Sequence, residues 1–276
     1  MKALSSSKAV LYTGCAALGL ILFAGVFCSW LAPYPVDHLD LARQLEGPSA
    51  QHWLGTDENG ADVLTAVLWG ARVACIVGLS TVTICAVVGV FLGSLAGYLG
   101  GWRDELLMRL VDIVMAFPGI LLAILILFVT QQPSVLTVVI ALSATGWASY
   151  ARLARGQALA LREREFIVAA RALGEPTNRI VTRHVIPNLL APVIVQATFG
   201  LAAAILAEAS LSFLGLGAQG VPSWGALLDQ GAHYFLVTHH LATFPGLAIM
   251  VTVLGINFVG DALRDRLDPR RYEEPA

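Results

Sequence analysis

Long apolar runs separated by short polar stretches make up most of this chain. An α-helix needs about 20 consecutive apolar residues to cross a bilayer, and each run is close to that length. We therefore predict an all-α integral membrane protein with six transmembrane helices, at 9–31, 75–99, 108–130, 135–153, 189–214 and 241–263. The first run has no small-x-small cleavage site before Trp30, so we expect an uncleaved anchor rather than a signal peptide.

The lysines and arginines orient these helices. If the N-terminus is cytoplasmic, only Arg43 and Arg72 of the 17 basic residues lie outside, as the positive-inside rule predicts. Both tails are then cytoplasmic (1–8 and 264–276), and segment 32–74 is extracytoplasmic. A five-helix core (75–263) contains a cytoplasmic loop at 154–188. The acidic segment 32–74 faces either a partner or only water.

Composition supports the membrane assignment. The chain is 57% hydrophobic and 13% charged, with a mean hydropathy of +0.73, whereas soluble domains carry about a quarter charged residues. A net charge of -2 without a basic, aromatic-rich patch excludes a nucleic-acid partner.

Cysteines and histidines give little sign of a metal site. We expect the cysteines to be small buried hydrophobic residues, because all four lie in apolar runs (Cys15, Cys28, Cys75, Cys85). Five histidines lie in predicted external segments and are interpreted as ordinary surface residues, with a metal route as the alternative (His38, His52, His233, His239, His240). No metal is assigned.

No catalytic or ATP-binding motif is present in the sequence. A P-loop needs a lysine after a glycine-rich turn, and the only lysines are Lys2 and Lys8, neither of which follows one. HExxH and GxSxG are also absent. We therefore predict no enzyme activity and no bound cofactor, and any ATP that drives the protein binds another subunit.

The 164–188 segment, REFIVAARALGEPTNRIVTRHVIPN, predicts two short amphipathic helices in the cytoplasm. One apolar face of the first helix comprises Phe166, Ile167, Ala170 and Leu173. Gly174 suits the left-handed position that ends a helix, and Pro176 suits the first turn of the second. That second helix carries Ile180, Val181, Val185 and Ile186, and should stop near Pro187.

Two hypotheses fit this segment. Two angled helices form a knob that a partner protein could hold in a groove, or they lie on the lipid headgroups with their arginines against anionic lipid. We predict that the tip at 172–177 lacks a large apolar anchor, which favours the partner.

The 164–188 segment resembles the EAA loop of ABC-importer permeases. Ala169, Ala170, Gly174, Ile186 and Pro187 match that motif at its spacing. Val168 replaces the glutamate that names the motif, and His184 replaces the usual isoleucine. A histidine there is similar to the peptide and nickel importer branch.

Other motifs extend the resemblance from about residue 33 to the end. They are HWLGTDENGADVL (52–64, with Ala61 where arginine is common), GYLGGWRDELLMRLVDIVMAFPG (97–119), SLSFLGLG (210–217), PSWG (222–225) and NFVGDALRDRLDPR (257–270). Their order and spacing imply the second of two paralogous membrane subunits of a dipeptide, oligopeptide or nickel importer.

The resemblance also implies a site and partners. The family's EAA helix seats in a cleft of a cytoplasmic ATPase, so the implied coupling residues are Ala169, Ala170, Ala172, Leu173, Gly174, Glu175, Pro176, Thr177, Arg179 and Pro187. Two ATPases would bind ATP and Mg, and an extracytoplasmic protein would deliver cargo, at the bacterial cytoplasmic membrane. Peptide cargo is favoured over nickel. An ion-gradient-driven transporter is the alternative from another class, but no charged residue lies near a predicted span centre.

Within the spans, two patterns suggest packing and pathway roles. Gly89, Gly93 and Gly97 share one face and permit close helix packing, inside the chain or between subunits. The pathway candidates are Phe117, Pro118, Glu208, Ser212 and Asn257.

The reasons for these candidates differ. Both FPG tripeptides (117–119 and 244–246) predict kinks near the pathway. Glu208 should lie near the outer face, where water reaches it, as an interface residue or at the pathway mouth. Arg109 and Asp112 should form a local ion pair.

Overall fold

Helices account for all the regular secondary structure in the part of the chain that this computed structural model describes. It covers residues 2–131 and 133–267, with side chains from residue 11 onward. The helices are α1 (Lys2–Val26), α2 (Cys28–Leu31), α3 (Val63–Leu99), α4 (Gly101–Ala116), α5 (Gly119–Thr130), α6 (Val135–Arg162), α7 (Glu165–Ala172), α8 (Thr177–Ile180), α9 (Ile186–Phe213), α10 (Trp224–His233) and α11 (His240–Leu267), with a 3-10 turn at Leu41–Arg43. The predicted all-α class is confirmed.

Among the described residues, four helices are long and apolar enough to cross a membrane, judged by length and composition. They are α3, α6, the continuous helix Thr177–Phe213 and α11. The bent pair α4–α5 makes a fifth if it counts as one span. The apolar part of α1 is shorter, at Leu11–Val26. The predicted start of the second span, at residue 75, was too late. α3 already starts at Val63, where the Asp62 side chain accepts a hydrogen bond from the Thr65 amide.

The third predicted span is not a continuous helix. α4 and α5 meet at an angle of 81°, and α5 has only 12 residues, about 18 Å at 1.5 Å per residue. Phe117 and Pro118 have extended backbone (ψ 136° and 116°), and proline lacks the N–H that would continue the ladder. The predicted kink at 117–119 is therefore confirmed as a sharp break, whereas Pro245 of the second FPG lies inside the unbroken α11.

The second helix of the 164–188 segment does not stop near Pro187. A π-helical turn, Val181–Val185, joins α8 to α9, and the Ile186 amide donates to the Val181 carbonyl five residues back. The wider π turn lies just ahead of Pro187, where an α-helix would lose a hydrogen bond and clash with the proline ring. The Asn188 side chain donates to the His184 carbonyl at 2.7 Å. The prediction that the second helix stops near Pro187 was wrong, because the π turn allows the helix to continue through the proline.

Close helix packing within the chain surrounds the glycine face of α3. A Cβ at Gly93 would overlap the Ala151 carbonyl of α6, and one at Gly97 would lie 2.6 Å from the Arg155 carbonyl oxygen. Gly89 likewise has no room beside α6. The three glycines therefore bring the backbones of α3 and α6 together inside one subunit.

The cysteine prediction holds for only part of the set. Cys28 and Cys85 are buried, Cys75 is half-buried and Cys15 is exposed on α1. Burial of Cys15 was wrong, because hydropathy cannot tell which side of an apolar helix faces the bundle. Many large apolar side chains are also exposed on the outside of the helices, including Val87, Phe91, Leu125 and Phe128. A lipid-facing bundle surface has this character.

Candidate functional site

The corner of the 164–188 segment is built by one helix-ending motif. Gly174 has φ +79°, the Gly174 amide donates to the Arg171 carbonyl at 3.0 Å, and the Glu175 amide donates to the Ala170 carbonyl at 3.1 Å. These are the two bonds of a Schellman motif, which needs a residue in the left-handed region. The predicted conformation of Gly174 is confirmed. Pro176 lies one position earlier than expected, directly before α8.

Apolar side chains fix the base of this corner to the bundle. Ile167, Ile180, Val181 and Val185 are all at most 1% exposed. They share a core cluster with Tyr98 of α3 and with Ala154 and Ala158 of α6. The segment is therefore packed against two long helices, and displacement of the corner must displace their ends.

Polar contacts brace the same corner. His184 Nε2 donates to Glu175 at 3.1 Å, and Arg179 Nε lies 3.8 Å from the other Glu175 oxygen. The Arg171 guanidinium lies over the Tyr98 ring, 5.5 Å from its centroid, a cation–π contact. Sequence analysis missed the Glu175–His184 contact, because a nine-residue spacing across a turn matches no helical period.

The outer side of the corner is exposed. Leu173 is 85% exposed and Phe166 is 46% exposed, so the prediction that the tip lacks a large apolar side chain was wrong. Among the ten implied coupling residues, Ala170 faces the core and Glu175 is half-buried. The other eight are exposed, namely Ala169, Ala172, Leu173, Gly174, Pro176, Thr177, Arg179 and Pro187.

Ion pairs join α4 to α6 beside this segment. Arg155 donates to both oxygens of Asp104 at 2.5 and 2.7 Å, and Arg152 donates to Asp112 at 2.7 Å. Arg109 instead pairs with Glu105 at 3.0 Å. The predicted Arg109–Asp112 pair was wrong: the helical spacing allowed it, but α6 presents an arginine to Asp112.

The predicted pathway residues do not form one site. Glu208 is 2% exposed and accepts a hydrogen bond from Ser212 at 2.7 Å, so its predicted contact with water was wrong. Tertiary packing covers it, since Gly225 of α10 abuts the Ala209 carbonyl and Ser212. Phe117 is exposed at the α4–α5 break with Pro118, and Asn257 is half-buried on α11.

A cavity of about 430 Å³ lies between α3, α5, α6 and α9. None of the five pathway candidates is among the described residues that line it. Its polar lining includes Thr81, Ser149, Tyr150 and Gln196. Sequence analysis missed these residues, because neutral polar side chains on apolar helices look like ordinary packing.

Buried hydrogen bonds organise the opposite end of the molecule. His52 Nδ1 donates to one Asp62 oxygen at 3.0 Å, and the other accepts from the Thr65 amide and hydroxyl at 2.8 Å. His240 Nε2 donates to the Thr56 carbonyl at 3.0 Å. His52 and His240 are thus buried structural groups rather than the predicted surface residues.

Two further features complete this end. Burial raises the pKa of the Asp57 carboxyl, and the amides of Ala61 and Asn59 partly offset that effect. Within the described ranges, no three His, Cys, Asp or Glu side chains are grouped so as to hold a metal.

Comparisons with known proteins agree with this architecture. Residues 89–272 match the family described as binding-protein-dependent transport system inner membrane component. The chain is 43% identical over 261 residues to the dipeptide transport system permease protein DppC of Alkalihalophilus pseudofirmus, covering 92% of this chain and 86% of that protein. It is 42% identical over 253 residues to the glutathione transport system permease protein GsiD of Shigella dysenteriae, covering 91% and 83%.

A solved structure shares the fold. The chain resembles a protein in inward-facing conformations of the MetNI methionine ABC transporter with a TM-score of 0.59 and 18% identity, over 74% of this chain and 96% of that one. The long apolar helices, the corner at Gly174 and these matches all point to the same family. The chain belongs to the binding-protein-dependent inner membrane components, as a permease of the peptide and nickel branch of ABC importers.

Proposed function

We propose that this chain is one of two paralogous membrane subunits of an ATP-driven importer that moves di- and oligopeptides into the cytoplasm. The relatives named above are permeases for dipeptide and glutathione, which are both peptides, and this supports peptide cargo. Nickel is the alternative cargo within the branch, and the described residues contain no histidine and carboxylate cluster that favours it.

The proposed topology has six spans with both termini in the cytoplasm. It counts α1 as the first span and the bent pair α4–α5 as the third. The arginines near the 164–188 end support this orientation, because basic residues favour the cytoplasmic side. The membrane would be the bacterial inner membrane.

The 164–188 segment would be the contact for a cytoplasmic ATPase. The observation that carries this proposal is the exposed Leu173 at a corner whose base, with Ile167 and Val185 fully buried, packs against α3 and α6. An apolar side chain on a rigid corner suits a groove in a partner. Two such ATPases would bind ATP and Mg, and the permease itself would perform no catalysis.

The opposite end would receive cargo from an extracytoplasmic binding protein. Segment 32–62 and α10 form this end, and their buried hydrogen bonds give a binding protein a defined surface. A secondary transporter would use a titratable group near the bilayer centre. Glu208 does not meet that need, because it lies near the C-terminal end of α9 and is engaged by Ser212.

Cross-linking tests the proposed contact. In the complete transporter, with the four native cysteines replaced, Leu173→Cys should cross-link to an ATPase subunit with a yield that changes when nucleotide binds. Leu206→Cys, exposed on the flank of α9, is the matched control and should give no such product. Cross-linking of Leu173→Cys to lipid reagents alone would contradict the proposal. Uptake that survives ATP depletion but stops when the proton gradient collapses would favour the secondary transporter.

A further inference from the structure

The cavity between α3, α5, α6 and α9 lies near the middle of the bundle. Thr81 is at the midpoint of α3, and Gly119 marks the start of α5 beside the 81° break. Most of the wall is apolar, including Leu142 and Phe199. Ligand cavities commonly combine such walls with a few placed polar groups.

Two of those polar groups lack partners. The Tyr150 hydroxyl and the Thr81 hydroxyl are buried, with 3% and 5% of each residue exposed, and neither has a hydrogen-bond partner within the described chain. Tyr150 places its hydroxyl against Gly200, where a Cβ would collide with it. A buried hydroxyl without a partner costs roughly 1–3 kcal/mol, so helix motion that opens these two hydroxyls to the cavity would favour a ligand that supplies the missing bonds.

The cavity continues toward the 164–188 end. Gln196 and Phe199 line both this cavity and a second, open one of about 580 Å³. The second is bounded by Leu153 and Gln157 of α6, by Pro192 of α9 and by Arg264 of α11, so a positive charge lies in this part. Gln196 and Phe199 therefore stand between the two cavities, and we call the two cavities together the groove between α6 and α9.

The mid-bundle part of this groove is neutral. Among the described residues that line the first cavity there is no Asp, Glu, Lys, Arg or His. Hydroxyl and carboxamide groups both donate and accept, as the amide groups of a peptide backbone do. Without a charged residue in this lining, no direct Coulomb interaction distinguishes a positive from a negative cargo side chain.

We propose that the groove between α6 and α9 is this subunit's wall of the translocation pathway and binds cargo by neutral hydrogen bonds to the peptide backbone. Thr81, Tyr150 and Gln196 supply those bonds. This inference rests on the proposed function and adds to it a site and a ligand class, the backbone amide irrespective of side-chain charge.

Uptake by reconstituted complete transporter tests the ligand class. The probes are Ala-Ala, Lys-Ala and Glu-Ala dipeptides, each delivered by the binding protein. Tyr150→Phe combined with Gln196→Leu should lower uptake of all three by a similar factor, about tenfold or more. Tyr12→Phe, on the exposed face of α1, removes the same hydroxyl elsewhere and should leave uptake unchanged. Losses that differ severalfold between the lysine and glutamate dipeptides, or no loss, would overturn the proposal.

Thiol labelling tests the groove without relying on transport. In the background without native cysteines, a charged thiol reagent should modify Ser149→Cys, because water enters a pathway, and cargo should slow the reaction. Val87→Cys, 64% exposed on the outside of α3 and far from both helix ends, faces lipid in this scheme and should label poorly. Absence of Ser149→Cys labelling overturns the groove. The proposed function fails if ATP hydrolysis by the wild-type transporter does not respond to cargo-loaded binding protein. Thiol labelling of Ser149→Cys still decides the groove in that case.

Discussion

The two ends of this bundle are built by different means. At the 164–188 end, the corner at Gly174 leads directly into a helix that runs unbroken from Thr177 to Phe213. At the 32–62 end, a turn-rich segment is held by hydrogen bonds to single side chains, chiefly Asp62 and His240. The first end is helical and continues into the helix through α9, while the second is a turn-rich segment that joins α3 at the Asp62 cap.

Because of this difference, the 164–188 end is suited to transmit a displacement, whereas the 32–62 end is suited to hold a fixed shape. A force on the corner has a helical route into α9 and a packed route into α3 and α6, through Ile167 and Val185. A force on segment 32–62 reaches the start of α3 through the Asp62 cap and α11 through the His240 bond, and the segment's own turns can yield to it. We therefore expect changes at the corner to impair coupling while leaving stability largely intact, and changes at the anchors to do the reverse.

Gly174→Val should have the largest effect. A branched residue at φ +79° costs about 1–2 kcal/mol and shifts the corner, so we expect uptake to fall about tenfold or more. ATP hydrolysis and assembly should persist. Uptake and ATP hydrolysis by proteoliposomes measure the two quantities separately. Gly156→Val, where a Cβ meets open space, is the matched control. Normal nucleotide-dependent uptake by Gly174→Val would remove the corner from the coupling route.

Asp62→Ala should destabilise the 32–62 end. The change removes one helix cap, the Thr65 hydroxyl bond and the partner of buried His52, at a cost of about 3 kcal/mol. The thermal midpoint of the purified subunit should fall, and segment 32–62 should become sensitive to protease. Asp40→Ala, at a half-exposed ion pair, should cost about 1 kcal/mol or less. Equal midpoints for the two variants would mean that the buried network does not hold this end.

Asp104→Asn should have a smaller effect at the opposite end. Its bidentate pair with Arg155 is mostly buried on the aspartate side, so we expect a loss of about 1–2 kcal/mol in unfolding free energy. Glu105→Gln breaks the exposed pair with Arg109 and should cost about 0.5 kcal/mol or less. Denaturant titration at low and high salt distinguishes them. The smaller effect, that of Glu105→Gln, should disappear at high salt, whereas the effect of Asp104→Asn should remain. If high salt removes both effects, Asp104 is solvated.

Sequence analysis located most of the helices and the corner. Gly174 was identified because one backbone conformation restricts the residue there, and apolar length located α3, α6, the helix through α9 and α11. It could not tell a full break from a continuous helix where one local pattern permits both. The same FPG tripeptide breaks the chain at 117–119 and lies inside a continuous helix at 244–246.

The candidate site divides in the same way. Exposure of Thr177 and Arg179 follows from a polar turn, but burial of Glu208 and His240 depends on α10 and on segment 32–62, which are distant in the chain. The cavity beside Tyr150 could not be anticipated, since its walls come from four helices.

The helical class, the long apolar helices and the basic corner at Gly174 follow from the sequence alone, because hydropathy and backbone restriction act within a few turns. The ion pairs that form, the hydroxyls that lack partners and the proline that breaks a helix are known only from the folded bundle. Those outcomes depend on which side chains meet across helices, and sequence spacing along one helix carries no information about its neighbours.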